Sequence, residues 1–344
     1  MADTVLVTGG AGFAGSYVVR RLLDDGYRVV VYDIAGFRNE SAFVIGDAIE
    51  EVTLYTGSID NWPVLLDAVQ AHRPQAIVHL GSIMDTDLLD RNPMIALKVN
   101  VEGTCNVFEA ARLNGVQRTV IFSTIGVHGR MKYEPIDGDH PTVTATAGPL
   151  GAYSAAKLSC EAFGFAYQQS FGLDVRIIRP SALYGFGMSW FAPNYVKQIV
   201  EPAVYGQAVR LAGGGLVPRD YTSAVDAAAL VAAVLRGPAE ADRIFYAATG
   251  APLRTGGDVG RIVSELVPGS DIEIGEEWNE VDRAELAFRG QISIDNAREQ
   301  LGFEPRFVDL REGLTDYVAR LRAFLAAGGV PTPRPASLAN APGG

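Results

Sequence analysis

The sequence predicts an α/β protein with a doubly wound parallel sheet and a smaller, irregular C-terminal domain, and three observations support this fold class. Short β-rich runs alternate with helical segments through the first half of the chain, a pattern typical of parallel strands joined by helices. The runs are almost continuously apolar, as expected of strands that are covered on both faces. A glycine-rich turn separates the first strand from the first helix.

The elements of the first half follow one another in regular order. The predicted strands begin at Val5, Arg28, Glu51, Gln75, Arg118 and Leu173. The predicted helices between them cover residues 12–25, 62–70, 93–114 and 152–171. A sheet of this kind binds its ligand at the carboxyl ends of its strands.

The regularity fades after Pro180. Helices are predicted from about Pro193 and over residues 225–236, 257–267, 295–301 and 310–327, with a strand-like run at 243–249. Residues 1–180, with 220–250 returning to them, are therefore predicted to form the sheet domain, and residues 181–219 and 251–327 the smaller domain. Residues 328–344 are rich in Gly, Pro, Ala and Ser, which is typical of a flexible tail.

The composition excludes several classes of partner. The chain has 344 residues, 48% hydrophobic and 20% charged, with a formal net charge of -11. Such a charge argues against a nucleic acid or an anionic membrane surface as partner, because both require a basic protein surface. The longest apolar stretch, residues 227–235, is far shorter than the ~20 residues of a membrane span. We expect a cytoplasmic protein in which Cys105 and Cys160 are reduced core thiols.

The glycine turn predicts a dinucleotide site. Gly9, Gly12 and Gly15 allow close approach of the backbone to a pyrophosphate, and the following helix start supplies N–H donors. Asp33 ends the second strand 33 − 15 = 18 residues after Gly15, close to the ~20 expected of a carboxylate that binds the adenosine ribose. Its charge would repel a 2′-phosphate, so NAD is favoured over NADP, although nearby Arg38 moderates this preference. The sheet domain is thus predicted to be an NAD-binding Rossmann domain, and the smaller domain to bind the substrate.

A second group of residues predicts acid–base chemistry. Tyr153 and Lys157 are four residues apart on a predicted helix, which places them on one face. The hydroxyls of Ser123 and Thr124 end the fifth strand, and Asn100 lies in the preceding helix.

Together, the segments "TGGAGFAG", "VHLG", "VNVEGTCNVFEAA", "FSTIGVHG", "YSAAK", "RPSALYG" and "RDYTSAVDAA" resemble the extended short-chain dehydrogenase/reductases, also called the NAD-dependent epimerase/dehydratase family, from residue 4 to about 320. The resemblance implies that Tyr153 is the acid/base, with its pKa lowered by Lys157 and the nicotinamide ring. It also implies that Thr124 holds the reacting oxygen, that Lys157 binds the nicotinamide ribose and that Asn100 supports Lys157 through water.

The same resemblance predicts a homodimer whose interface is formed by the helices at 93–114 and 152–171. It also predicts two sets of contact residues. The expected cofactor contacts are Gly9, Gly12, Phe13, Ala14, Gly15, Asp33, Ser58, Ile59, Leu80, Gly81, Ser123, Tyr153, Lys157 and Pro180. Ser58 stands where many members carry an adenine-contacting Asp, and Ser123 lies either beside the cofactor or packed at the strand end. The expected substrate contacts are Ser82, Met84, Thr124, His128, Asn194 and Arg219. Two interpretations are open for His128: a supporting position behind the site, or contact with substrate.

Departures from the family pattern bear on the reaction. Ile125 and Gly126 stand where the dehydratases have Asp-Glu, so dehydration by that route is disfavoured. Arg219 matches a phosphate-contacting arginine, but the second such arginine has no clear match, and Arg283 in the acidic "EEWNEVDRAELAF" is the nearest candidate. These losses favour a substrate other than a nucleotide sugar. His72, His79 and His140 lack metal-ligand spacing, so we predict structural roles for them and no metal site.

Three functions remain open from the sequence. The leading one is an NAD-dependent dehydrogenase or reductase that acts on a secondary hydroxyl or ketone of a small organic or sugar-like substrate. The alternative is a UDP-sugar 4-epimerase with tightly held NAD, and a non-catalytic dinucleotide sensor is a third.

Overall fold

The computed structural model describes residues 3–142, 151–190 and 194–333. Its strands are β1 (Thr4–Thr8), β2 (Arg28–Asp33), β3 (Thr53–Thr56), β4 (Ala76–His79), β5 (Arg118–Phe122), β6 (Val175–Pro180), β7 (Ala182–Tyr184), β8 (Val209–Gly213), β9 (Pro218–Arg219), β10 (Tyr221–Ser223), β11 (Ile244–Ala247), β12 (Arg254–Thr255) and β13 (Ile272–Glu277). The six predicted strands of the first half are confirmed as β1 to β6.

The α-helices are α1 (Phe13–Asp24), α2 (Asn39–Ile45), α3 (Trp62–His72), α4 (Thr86–Arg91), α5 (Pro93–Ile95), α6 (Gly103–Leu113), α7 (Gly151–Phe171), α8 (Val196–Val204), α9 (Ala224–Arg236), α10 (Gly256–Leu266), α11 (Glu280–Glu285), α12 (Asp295–Leu301) and α13 (Leu310–Ala326). A π-helical segment, Ala96–Glu102, joins α5 to α6, so the helix predicted at 93–114 is continuous but locally widened. The start predicted near Pro193 lies outside the described residues, and α8 begins at Val196.

The central sheet has seven parallel strands in the order β11-β6-β5-β4-β1-β2-β3. The chain runs outward from β1 through β2 to β3, and then crosses to β4 on the other side of β1. This reversal opens a crevice at the carboxyl ends of β1 and β4, where ligands bind in sheets of this kind. The predicted doubly wound fold is confirmed.

Both faces of the sheet are buried, which explains the continuous apolar runs. Val5 and Val7 of β1 face a core formed with α1 and α9, whereas Leu6 between them faces a second core formed with α3 and α6. Successive side chains of a strand point to opposite faces, so a strand covered on both sides needs an apolar residue at every position.

Among the described residues, the strands outside the central sheet form three short pairs. The pairs are β7 with β10, β9 with β12, and β8 with β13. Thr332, within the segment interpreted as a tail, donates from its backbone N–H to Glu40 Oε1 at 2.5 Å and accepts at its carbonyl from Trp190 Nε1. Residues 334–344 of that segment lie outside the described residues. None of the helices described is long and apolar enough to cross a bilayer.

Candidate active site

The glycine turn at the end of β1 is packed too closely to admit side chains. Gly9 has a φ of +71°, and a Cβ added to Gly15 would lie 2.1 Å from the Gly9 carbonyl oxygen. The helix α1 follows at once, and its cap residue Gly12 provides no side-chain hydrogen bond to the first turn. Backbone N–H groups of this turn therefore remain available to an anionic ligand, which fits the pyrophosphate of a dinucleotide. Phe13 and Ala14 are half-buried at the same helix start.

Asp33 ends β2 beside this turn, as predicted. Its carboxylate accepts hydrogen bonds from the backbone N–H of Ala11 at 3.0 Å and of Ala35 at 3.3 Å. Burial raises the pKa of Asp33, while these bonds and the charge of Arg38 oppose the rise. Arg38 itself donates to the Gly187 carbonyl at 3.0 Å, so its guanidinium is anchored to the smaller domain.

The residues expected around the adenine and at the end of β4 are held by hydrogen bonds and packing. The Ser58 hydroxyl donates to Asp60, and Ile59 is wedged against Gly103, where a Cβ would lie 2.6 Å from the Ile59 side chain. Leu80 and Gly81 follow β4, and a Cβ on Gly9 would lie 2.7 Å from the Gly81 nitrogen. The turn after β1 and the turn after β4 are thus in direct contact.

Tyr153 and Lys157 lie in the first turns of α7, beside the end of β5. The Lys157 Nζ lies 5.7 Å from the centre of the Tyr153 ring and donates to the Phe122 carbonyl at 2.8 Å. The hydroxyl of Thr124, two residues after Phe122, accepts from the Gly126 N–H at 3.1 Å. Lys157 therefore ties the catalytic helix to the strand end that carries Thr124. The sequence-predicted Tyr153, Lys157 and Thr124 occur together.

Burial affects the acidity of both Tyr153 and Lys157. Burial raises the pKa of Tyr153 above its usual value, and burial also lowers the pKa of Lys157. The reason is that desolvation disfavours the charged form of each group.

Asn100 acts on the substrate-side loop in this structure. It lies in the π-helical segment, and its side-chain amide exchanges two hydrogen bonds, at 2.8 and 2.9 Å, with the backbone N–H and C=O of Ile83. Ser82 and Met84 flank Ile83, and the Met84 side chain is exposed. Asn100 thereby fixes the loop whose residues are expected to border the substrate.

The Ile125–Gly126 pair contributes packing. Ile125 packs against an apolar cluster that contains Ile136 and Tyr246. A Cβ on Gly126 would lie 2.6 Å from the Ser154 hydroxyl oxygen, so the absence of a side chain allows this turn to lie directly on α7 next to Tyr153. Neither residue supplies a group that transfers protons.

Ser123 does not face the crevice. Its hydroxyl is buried and donates to Glu161, which also forms a two-pronged ion pair with Arg179 at 3.0 and 2.7 Å. Both members of the pair are only 3% exposed, so removal of either would leave a buried charge without its partner, at a cost of about 3–5 kcal/mol. The sequence interpretation missed Glu161 and Arg179. Two signals were present: Glu161 lies one helical turn after Lys157, and Arg179 interrupts an apolar strand.

His128 was expected to contact substrate, and the structure instead places it behind the site, with none of its surface exposed. Its Nε2 bonds the Tyr246 hydroxyl at 2.9 Å, and its Nδ1 lies 3.1 Å from His140 Nδ1. Since Tyr246 donates to the Asp137 carbonyl and accepts from Arg179, His128 must donate from Nε2. Burial lowers the pKa of His128 to about 3, so the ring is neutral near pH 7. This position agrees with the other interpretation from the sequence, in which His128 supports the site without touching substrate.

Arg219 and Asn194 are both engaged by the protein itself. Asn194 donates to the Leu183 carbonyl at 2.7 Å and accepts from the Val196 N–H. Arg219 forms ion pairs with Asp282 at 3.0 Å and with Glu285 at 2.8 Å.

The second arginine of this region is Arg289, which the sequence interpretation missed. It is buried and also pairs with Glu285, whereas the earlier candidate Arg283 is exposed on the outer side of α11. Arg289 lies four residues before the segment "SIDNAREQLGFEP", which resembles the family's C-terminal segment, and this position was the available signal.

A glycine cradle, a strand-end carboxylate and a Thr–Tyr–Lys group at one edge of a parallel sheet define a dinucleotide-dependent oxidoreductase. Residues 5–247 match the family model described as "NAD dependent epimerase/dehydratase family". The UDP-glucose 4-epimerase of Mycolicibacterium smegmatis is 31% identical over 92% of this chain and 98% of its own length. The dTDP-glucose 4,6-dehydratase of Streptomyces griseus is 30% identical over 93% of this chain and 94% of its own length.

Solved structures agree on the fold. A UDP-glucose 4-epimerase from Thermotoga maritima, solved with UDP-glucose, superimposes with a TM-score of 0.79 at 24% identity, covering 94% of this chain and 99% of its own. A UDP-glucose 4-epimerase of Thermus thermophilus, solved with NAD, gives a TM-score of 0.74 at 24% identity, covering 93% and 99%. The chain belongs to the NAD-dependent epimerase/dehydratase family, and it is an enzyme of the extended short-chain dehydrogenase/reductase type.

Proposed function

We propose that this enzyme oxidises a secondary hydroxyl, or reduces the corresponding ketone, of a small organic or sugar-like substrate with NAD. The observation that carries the proposal is the grouping of Thr124, Tyr153 and Lys157 beside the glycine turn, with no proton-transferring side chain at positions 125 and 126.

The chain's own residues supply binding and proton transfer. When bound, NAD accepts or returns a hydride and adds a positive charge at its nicotinamide ring. The turn from Gly9 to Gly15 would hold its pyrophosphate and Asp33 its adenosine ribose. Lys157 donates one N–H to the Phe122 carbonyl, which leaves its two other N–H groups to bind the nicotinamide ribose.

Proton transfer rests on the two hydroxyls. Thr124 donates its hydroxyl proton to the reacting substrate oxygen, while its own oxygen accepts from the Gly126 N–H. Tyr153 removes the hydroxyl proton during oxidation and returns it during reduction. The nicotinamide ring would place a second positive charge, besides that of Lys157, near Tyr153. This charge opposes the rise in the Tyr153 pKa that burial causes and favours the phenolate. Ile125 and Gly126 stand where dehydratases carry the acid and base that eliminate water. The reaction therefore ends at the ketone or the alcohol.

The second candidate is a UDP-sugar 4-epimerase. It is favoured by the full-length similarity to the Mycolicibacterium smegmatis enzyme and by the buried arginine Arg219. A non-catalytic dinucleotide sensor is disfavoured, because Thr124, Tyr153 and Lys157 are all retained.

Net cofactor turnover separates the candidates. Ligands that co-purify with the protein are identified by mass spectrometry, and NADH absorbance is then followed with hydroxy compounds and UDP-sugars. A dehydrogenase forms NADH in proportion to product, whereas an epimerase interconverts UDP-sugars without net NADH. A protein that binds NAD but turns over neither class of compound would contradict the proposal.

We also propose that the enzyme is a cytoplasmic homodimer. Support comes from large apolar side chains that are exposed along the joined helices α5 to α6 and along α7, namely Met94, Leu97, Leu113, Phe163 and Phe171. Apolar exposure concentrated on neighbouring helices is typical of an interface.

A further inference from the structure

A buried cluster of opposite charges lies at the carboxyl-end face of the sheet. Arg219 is 3% exposed and Arg289 is 8% exposed, and Asp282 and Glu285 of α11 pair with them. Tyr195 completes the cluster, because its hydroxyl donates to Asp282 at 2.5 Å and its ring lies under the Arg219 guanidinium.

Two connections place the cluster beside the proposed substrate site. Asp220, next to Arg219, accepts from Ser181 at the end of β6 and from Thr249 after β11. On the other side, the Ala287 carbonyl accepts from the backbone N–H of Met131, in the loop that continues from Thr124.

The cluster is electrically balanced but has unused donors. Two arginines and two carboxylates give a formal charge of zero. The Nε atoms of Arg219 and Arg289 and the hydroxyl of Tyr221 are buried and have no hydrogen-bond partner among the described residues. Buried donors without acceptors are costly, so these three atoms point to an oxygen-bearing ligand group.

We propose that Asp282 and Glu285 are specificity-determining residues that make this cluster neutral, so that it accepts an uncharged group rich in hydroxyl or carbonyl oxygens and rejects a diphosphate. This inference rests on the proposed function, since the group recognised belongs to the same substrate.

The physical reason is the cost of uncompensated buried charge. Two buried arginines alone would attract a diphosphate through charge-assisted, two-pronged hydrogen bonds. Here each guanidinium already has a carboxylate partner, and a diphosphate would add about two negative charges beside two existing ones. Like charges at close range in a buried site repel strongly. Hydroxyl or carbonyl oxygens satisfy the free Nε–H donors without that repulsion.

The experiment measures UDP binding by calorimetry to the full-length, NAD-loaded protein. We expect no binding by the wild type up to millimolar UDP, and an affinity at least ten-fold higher in the double variant Asp282→Asn/Glu285→Gln. Glu280→Gln is the matched control, since Glu280 is exposed on the same helix, and it should behave like the wild type.

Micromolar binding of UDP by the wild type would overturn the inference whatever the fate of the variants. A folded double variant, with unchanged NAD affinity but no gain in UDP binding, would overturn it too. The proposed function is tested separately by NADH formation: turnover together with tight UDP binding would overturn only the inference, and absent turnover together with absent UDP binding would overturn only the function.

Discussion

At the scale of single residues, the site depends on positions where a side chain is excluded. Gly15 faces the Gly9 carbonyl so closely that any Cβ displaces the turn, and Gly126 allows the Thr124 turn to contact α7. Both glycines lie next to residues with a chemical role. The absence of a side chain is therefore as much a part of this site as the hydroxyl of Tyr153.

We predict that Gly15→Ala lowers NAD affinity at least a hundred-fold, because the added Cβ would lie 2.1 Å from the Gly9 oxygen and the pyrophosphate turn must open. Affinity is measured by calorimetry. Gly36→Ala is the matched control, since a Cβ there meets nothing within 4 Å. NAD affinity unchanged in Gly15→Ala would contradict the assignment of the turn.

Some positions in the candidate site follow from the local sequence, whereas others depend on contacts with distant residues. Tyr153, Lys157 and Thr124 were predictable because helix periodicity and the strand end fix them locally. For Ser123 and His128 the sequence left two interpretations open, because their surroundings are set by distant partners. Ser123 turns inward to Glu161, 38 residues away along the chain, and local patterning carries no information about that contact.

At the scale of elements, a buried chain of hydrogen bonds crosses from β1 to the π-helical segment. The Thr8 hydroxyl lies 2.6 Å from His79 Nδ1, and His79 Nε2 lies 2.9 Å from the Thr104 hydroxyl. Thr104 donates to the Asn100 carbonyl, so it must accept from His79, and Thr8 must donate to Nδ1. Burial lowers the pKa of His79 to about 3, so the ring is neutral near pH 7. Its two hydrogen bonds connect β1, which leads into the cofactor turn, with Thr104, which bonds Asn100.

This arrangement predicts a pH dependence of stability. Burial lowers the pKa of both His79 and His128 to about 3, from 6.5. The unfolded chain therefore takes up protons first as the pH falls below 6.5, and stability is lost between pH 6.5 and 3. Between pH 7 and pH 5 we expect a loss on the order of 2 kcal/mol per histidine.

Urea unfolding at pH 7 and pH 5 measures this loss. In His79→Gln the difference in unfolding free energy between pH 7 and pH 5 should be about half that of the wild type. In His72→Gln, at the end of α3, this difference should equal that of the wild type. An unfolding free energy of the wild type that is the same at both pH values would show that these histidines are not buried in the neutral form.

At the scale of the whole molecule, the parallel sheet was predictable and the smaller domain was only partly so. Continuous apolar runs identify β1, β2 and β4 to β6 without reference to tertiary contacts. In contrast, β13 reads "IEIGEE" and is stabilised by pairing with the remote β8, so its own sequence indicates little. The position of α11 over Arg219 is likewise a tertiary contact that no local pattern predicts.

The exposed apolar residues on the helices predict a dimer with a defined interface. Leu97→Asp together with Phe163→Asp should convert the protein to a monomer, because a charge on each helix would be buried at the interface. Light scattering at micromolar concentration measures the mass. Val308→Asp, an exposed apolar site outside these helices, is the control and should remain dimeric. A monomeric wild type would contradict the proposal.

The variant Tyr153→Phe separates proton transfer by Tyr153 from NAD binding by the glycine turn and Asp33. The rate of NADH formation with the substrate found in the screen, and NAD affinity by calorimetry, are compared with the wild type. We expect kcat to fall by about a hundred- to ten-thousand-fold in Tyr153→Phe. NAD affinity should stay within about two-fold of the wild type, because the glycine turn and Asp33 are unchanged. Full turnover by Tyr153→Phe would contradict the role of Tyr153 as the proton-transferring group.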